Sequence, residues 1–278
     1  MIAEALLLAS AWFWVPMPQG QALVCQTPQL IECLAQLPQD ARQQLPQDPS
    51  LLLQEMGLRG AMARPIRHQI ITGVILLATD NIPRASSALL NGQIYSLTLQ
   101  HAVQLTLLHE LGHLAIASSH SPHLRHQPLS TYQHEWLADI YLLWSLAKKN
   151  QSNELAWQQY HRRNLAVFAS ASAMSHWTTP MLAQLMRLYS WEELAHFEQF
   201  DTLIDDLYPR LMQYDQDELD EFSSLIQRVF GSGVMHSLPH YMFWRRPEMG
   251  RYIRPTIETL MGKQAAASWL TQNAMSGE

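Results

Sequence analysis

Leu107-Leu108-His109-Glu110-Leu111-Gly112-His113-Leu114 lies in a stretch whose apolar residues Val103, Leu107, Leu111 and Leu114 recur every three or four positions. That period predicts a helix, ending near Ser118–Pro122. Residues four apart share a helix face, so His109 and His113 can aim both imidazoles at one ion. Glu110 is one step further round, within reach of a water held there. Neutral imidazole is a good zinc ligand, and zinc lowers the pKa of its water towards 7. A neighbouring carboxylate can take that proton during attack on a carbonyl and pass it to the leaving amine.

Catalytic zinc sites typically combine three protein ligands with one open position. Glu135 follows His113 by 22 residues, in His134-Glu135-Trp136-Leu137-Ala138-Asp139. Ser130 and Gln133 have the spacing of a capping box, so a second helix is expected from there to about Asn150, with Lys148 and Lys149 in its last turn. Glu135 and Asp139 then share a face. Glu135 is the candidate third ligand. Asp139 lies mid-helix among Trp136, Leu137, Ile140 and Leu143, a poor place for an unpaired charge. One turn from the ligand, it can accept the outer N–H of a metal-bound imidazole. Gly112 costs roughly 1 kcal/mol relative to Ala in a helix, which is tolerable where another element approaches the backbone. His120, His123 and His126 read as a polar loop, and His134 as pointing elsewhere on its helix.

Upstream, Arg67–Thr79 is β-branched and apolar and predicts a strand. Asn91-Gly92 predicts a turn and Gln93–Leu97 a second strand, which could pair with the first. Gln26–Ser50 is rich in Gln and Pro and predicts short helices and turns. The apolar run Ala5–Val15 followed by Gly20-Gln21-Ala22 has the order of a signal peptide over residues 1–22, or else of a buried first helix. Cys25 and Cys33, the only cysteines, can close a small loop in an oxidising compartment.

Downstream of residue 150 the chain predicts helices, with Pro180, Pro209, Pro239, Pro247 and Pro255 as breaks. Glu198–Glu221 carries nine acidic residues among apolar ones and reads as the solvated faces of amphipathic helices. The fold class is α+β: a small sheet and active-site helix in residues 23–150, then a mostly helical half over 151–278. Net charge −6 and scattered Lys and Arg offer no footprint for nucleic acid.

The joint pattern, His109-Glu110-x-x-His113 and then Glu135-x-x-x-Asp139, resembles the gluzincin metallopeptidases. The wording around Glu135 is similar to that of the Ste24/HtpX-type peptidases and their soluble relatives. The resemblance covers about Arg67–Asn150. It implies a zincin-like core, Zn2+ on His109, His113 and Glu135, Glu110 as catalytic base, and Asp139 supporting a ligand. It implies a peptide or protein substrate held along a strand beside the active helix, for which Gln93–Leu97 is the candidate. His176, His236, His240 and Tyr241 are candidates for stabilising an oxyanion. Nothing matches the long transmembrane helices of the membrane relatives, so no integral membrane span is expected. A leader would place the protein in the periplasm or outside the cell, and its lack in the cytoplasm. Two other functions fit the same residues: a regulatory zinc fold, as in anti-repressor metallopeptidases, and a zinc amidohydrolase acting on a small molecule.

Overall fold

Ile71-Thr-Gly-Val-Ile-Leu-Leu77 is buried at every position, which an α+β chain achieves only in a strand covered on both faces. The computed structural model describes residues 10–126, 128–231 and 244–276, and the whole fold is arranged around this strand. Four strands, β1 (Trp12–Met17), β2 (Gly20–Gln26), β3 (Ala61–Pro65) and β4 (Ile71–Leu77), form one sheet in the order β1-β2-β4-β3. β1 pairs antiparallel with β2, β2 parallel with β4, and β3 antiparallel with β4, so β3 is an edge. Alternate side chains divide between two cores. Leu23, Cys25, Val74 and Leu76 pack with the short helices α1 (Leu30–Leu34), α2 (Gln39–Arg42) and α3 (Ser50–Met56). Ala22, Val24, Ile75 and Leu77 face the main core.

β5 (Ala85–Leu90) and β6 (Gln93–Thr98) make a separate two-stranded ribbon. Asn91 and Gly92 both have positive φ, 50° and 76°, as a tight two-residue hairpin requires. The strands expected at 67–79 and 93–97 therefore exist but do not pair. β4 takes β2 and β3 as neighbours, because only the sheet interior buries both its faces.

α4 (Ala102–Ser118), the turn α5 (Pro122–Arg125) and α6 (Thr131–Lys148) follow. Ser130 and Gln133 form the capping box of α6, each side chain meeting the other's backbone N–H. The remaining helices are α7 (Asn153–Ala169), α8 (Thr179–Leu188), α9 (Trp191–His196), α10 (Phe200–Leu207), α11 (Gln216–Phe230), α12 (Arg245–Met261) and α13 (Lys263–Gln272). One hydrophobic cluster runs from Val15 to Met275, so sheet and C-terminal helices share a core. Leu203, Ile204 and Leu207 on α10, and Leu219, Phe222, Leu225 and Ile226 on α11, are buried, leaving the acidic residues of 198–221 on the outer faces.

Two expectations change. Pro255 does not break a helix but lies inside α12, where the adjacent Tyr252 carbonyl accepts from Tyr160 Oη (2.7 Å) and Asn164 Nδ2 (3.0 Å). The apolar run Ala5–Val15, as far as it is described, is edge strand β1 and not a helix. The cut expected after Ala22 falls within β2, where Ala22 pairs with Val15 and Gly73. Among the described residues no helix is long and apolar enough to cross a membrane.

Candidate metal centre

α4 and α6 cross at Gly112. A Cβ built there would lie 2.7 Å from Ala138 Cα and 2.8 Å from its carbonyl oxygen, so only glycine lets the two backbones meet. That contact brings the ligand faces together. His109, His113 and Glu135 offer ligand atoms that all lie within 4.8 Å of one another, the one such group among the described residues. His109 Nε2 is 3.3 Å from Glu135 Oε2, and His113 Nε2 is 3.6 Å from Glu135 Oε1. Zinc bound tetrahedrally at about 2.0–2.1 Å separates its ligand atoms by roughly 3.3–3.4 Å. Glu135 Oε2 is buried, and no hydrogen bond of acceptable geometry reaches it. Its nearest nitrogens are His109 Nε2 at 3.3 Å, His176 Nε2 at 3.5 Å and Arg163 Nη2 at 3.7 Å, so it is held by charge and not by a well-aligned donor. Two imidazoles and a carboxylate at this spacing fit a divalent cation.

Asp139 has no exposed surface. Its Oδ1 is 2.8 Å from His109 Nδ1, which leaves Nε2 of that ring directed at Glu135. Gln159 Nε2 donates to Oδ1 at 2.9 Å and Thr178 Oγ1 to Oδ2 at 2.5 Å. Arg163 is bidentate, with Nε on Oδ2 at 2.6 Å and Nη2 on Oδ1 at 2.8 Å. Asp139 thus serves an imidazole and a buried salt bridge together. Its cationic partner is 24 residues away on α7, not nearby in sequence. The signal for it was available: Gln159 and Arg163 are polar residues four apart on a buried helix face with Leu155, Ala156, Tyr160 and Val167.

Charges follow from these contacts. Burial would raise the carboxyl pKa of Asp139, but Arg163 and His109 hold it well below the usual carboxylate range. Burial likewise opposes the charge of His109, yet Asp139 outweighs it and lifts the imidazole to about 9. For His113, burial and the neighbouring His109 charge outweigh the attraction of Glu135 and drive the imidazole down to about 3. Glu135 falls to about 2, because His109 and Arg163 outweigh its burial. Glu110 moves the other way: burial raises it, despite the attraction of His109 and a hydrogen bond from the Ala63 backbone N–H. A carboxyl with raised pKa beside a cation site is suited to holding a proton in transit.

Ala63 is on β3, so the edge strand packed along α4 is β3 and not Gln93–Leu97, which belongs to the ribbon. Among the described residues the ribbon pairs only with itself, and β3 is continuous with the buried sheet against which α4 packs. His176, at the end of the short turn Ala171–His176, brings Nε2 to 3.5 Å from Glu135 Oε2. His236, His240 and Tyr241 lie outside the described residues. His120 bonds Gln19, His123 stacks on Tyr208 with centroids 5.1 Å apart, and His126 is exposed. Compared with known proteins, the chain matches no family model, no curated protein and no solved structure.

Proposed function

We propose that the protein is a zinc-dependent metallopeptidase of gluzincin type, with a zincin-like core formed by β3, α4 and α6. The observation that carries this reading is the spacing of His109, His113 and Glu135 around a buried oxygen without a well-aligned donor, with Glu110 beside them. These three side chains would hold Zn2+, which would supply Lewis-acid activation of a water and of a carbonyl. Glu110, with its raised pKa, takes a proton from the attacking water and returns it to the leaving nitrogen. Asp139 fixes the His109 ring through Nδ1, and Arg163 fixes Asp139. His176 is partly exposed and faces the centre across Glu135, where a ring N–H can donate to a developing oxyanion. The unpaired side of β3 offers backbone groups to an extended peptide.

The test is incubation of zinc-loaded protein with a diverse peptide library, products read by mass spectrometry, with Glu110→Gln in parallel. Cleavage by the wild type, reduced about 10²–10⁴-fold in the variant, is the expected result. Equal cleavage by both would remove Glu110 from the mechanism. Cleavage of non-peptide amides alone would move the assignment to an amidohydrolase.

A further inference from the structure

The line of β3 leads away from the metal centre into a groove of about 600 Å³. Ala63 meets Glu110. Two residues further, Pro65 enters the groove wall, followed by Ile66, Arg67 and His68. The α4 turn beyond His113, from Ile116 to Ser119, also lines it, as do Arg125 and His134, the latter next to the proposed ligand Glu135. The groove contains none of Glu110, His109, His113 and Glu135, but is lined by their neighbours along β3 and α6, Pro65 and His134.

Its charge is at odds with that of the whole molecule. The chain carries net charge −6, yet the charged or titratable residues lining the groove are Arg67, His68, Arg125 and His134, with no Asp or Glu among them. His68 is matched from outside by Asp40 at 3.2 Å. Arg125 is anchored through Nε on the Ser119 carbonyl at 2.8 Å and makes no ion pair with the described residues. The Arg67 side chain is exposed and likewise makes no ion pair with them; its backbone N–H is held by Gln44. Two guanidinium groups, one of them anchored, line the same groove, and the guanidinium fork is suited to a carboxylate.

We infer that the groove is a specificity subsite for an acidic side chain of an extended peptide substrate, read by Arg67 and Arg125. The inference rests on the peptidase reading and names the substrate class of the same site. Arg67 is four residues beyond Ala63, about 13 Å at ~3.3 Å per residue of extended chain. The Arg67 backbone is closed to pairing, since Gln44 holds both its N–H and its carbonyl at 2.9 Å. An extended peptide that continues outward past Pro65 would therefore meet its side chain, with a residue roughly three to five positions from the cut bond, on one side only.

The experiment uses zinc-loaded full-length protein and decapeptides acetylated and amidated at their ends, so that no terminal charge contributes. Glu, Gln or Lys is placed in turn at each of positions three to five on either side of a cleaved bond. The expected result is at least a tenfold higher kcat/KM for Glu than for Lys at one of these positions, reversed in Arg67→Glu/Arg125→Glu and diminished in Arg67→Glu alone. Equal rates for the three peptides, a preference that survives the double substitution, or one appearing only with a free C-terminus would each overturn the subsite. A second measurement separates this failure from failure of the peptidase reading. Fluorescence anisotropy of the labelled Glu and Gln peptides on Glu110→Gln reports binding without cleavage. Tenfold tighter binding of the Glu peptide, lost with Arg67 and Arg125 reversed, supports the subsite even where no hydrolysis occurs; equal or undetectable binding overturns it.

Discussion

The carboxylate of Asp139 lies 2.8 Å from Nδ1 of His109, across 30 residues of sequence, and both side chains are buried. One contact joins the two ligand-bearing helices outside the ligand set itself. It turns His109 so that Nε2 faces Glu135, and it commits a buried negative charge that Arg163 must balance. The orientation of a ligand and the stability of the core are therefore linked.

Asp139→Asn keeps the shape but removes the charge. Zinc affinity should fall about 10–100-fold, as for other partners of metal-bound histidines, measured by competition with a chelator. The metal-free variant should lose roughly 3 kcal/mol in denaturant unfolding, because buried Arg163 loses its bidentate partner and keeps only the longer contact to Glu135 at 3.7 Å. Asp139→Asn combined with Arg163→Met should recover much of the stability but not the affinity. Recovery of both would remove the orienting role of Asp139.

Gly112→Ala tests the helix crossing. Helix propensity alone favours Ala by roughly 1 kcal/mol. The added methyl would instead meet the Ala138 backbone at 2.7–2.8 Å, which no rotamer relieves. A net loss of about 1–3 kcal/mol is expected from overpacking, with weaker zinc binding because Glu135 is displaced with α6. Increased thermal stability would show that the helices are further apart.

Metal-free protein should be most stable near pH 6.5. His109 binds its proton up to about pH 9 in the folded chain against 6.5 unfolded. Its contribution is complete below 6.5 and is lost as pH rises through 9. His113, held down to about 3, refuses a proton that the unfolded chain accepts between 6.5 and 3, so stability also declines on the acid side. Each slope is at most about 1.4 kcal/mol per pH unit. Zinc requires both imidazoles neutral, so titrating zinc at pH 7 should release about one proton, read by calorimetry in buffers of different ionisation enthalpy. No release would mean that His109 is already neutral without metal.

Cys25 on β2 and Cys33 on α1 form a disulfide, both fully buried, with a sequence separation of 8. It staples the short helices to the outer face of the sheet. Replacing both by Ala should cost about 2–3 kcal/mol for a loop of this length, as a lowered midpoint of denaturant unfolding. The proposed metal site lies on the other face of the sheet, so zinc affinity should change little; a large drop would show that the two cores are coupled.

What the sequence determined by itself is local. Helical periodicity placed His109 with His113 and Glu135 with Asp139 on single faces. Ser130 and Gln133 announced the start of α6, Asn91-Gly92 the ribbon turn, and Gly112 a close approach. Each depends on residues within about one turn, where backbone geometry leaves little choice. Which strand lies beside α4, and what balances Asp139, were decided only by tertiary packing. Gln93–Leu97 reads as a strand and Ala61–Pro65 does not announce itself as one, but only β3 extends a sheet with both faces buried. Arg163 reaches Asp139 because α7 crosses α6 at a particular height and rotation, and spacing along the chain does not specify either.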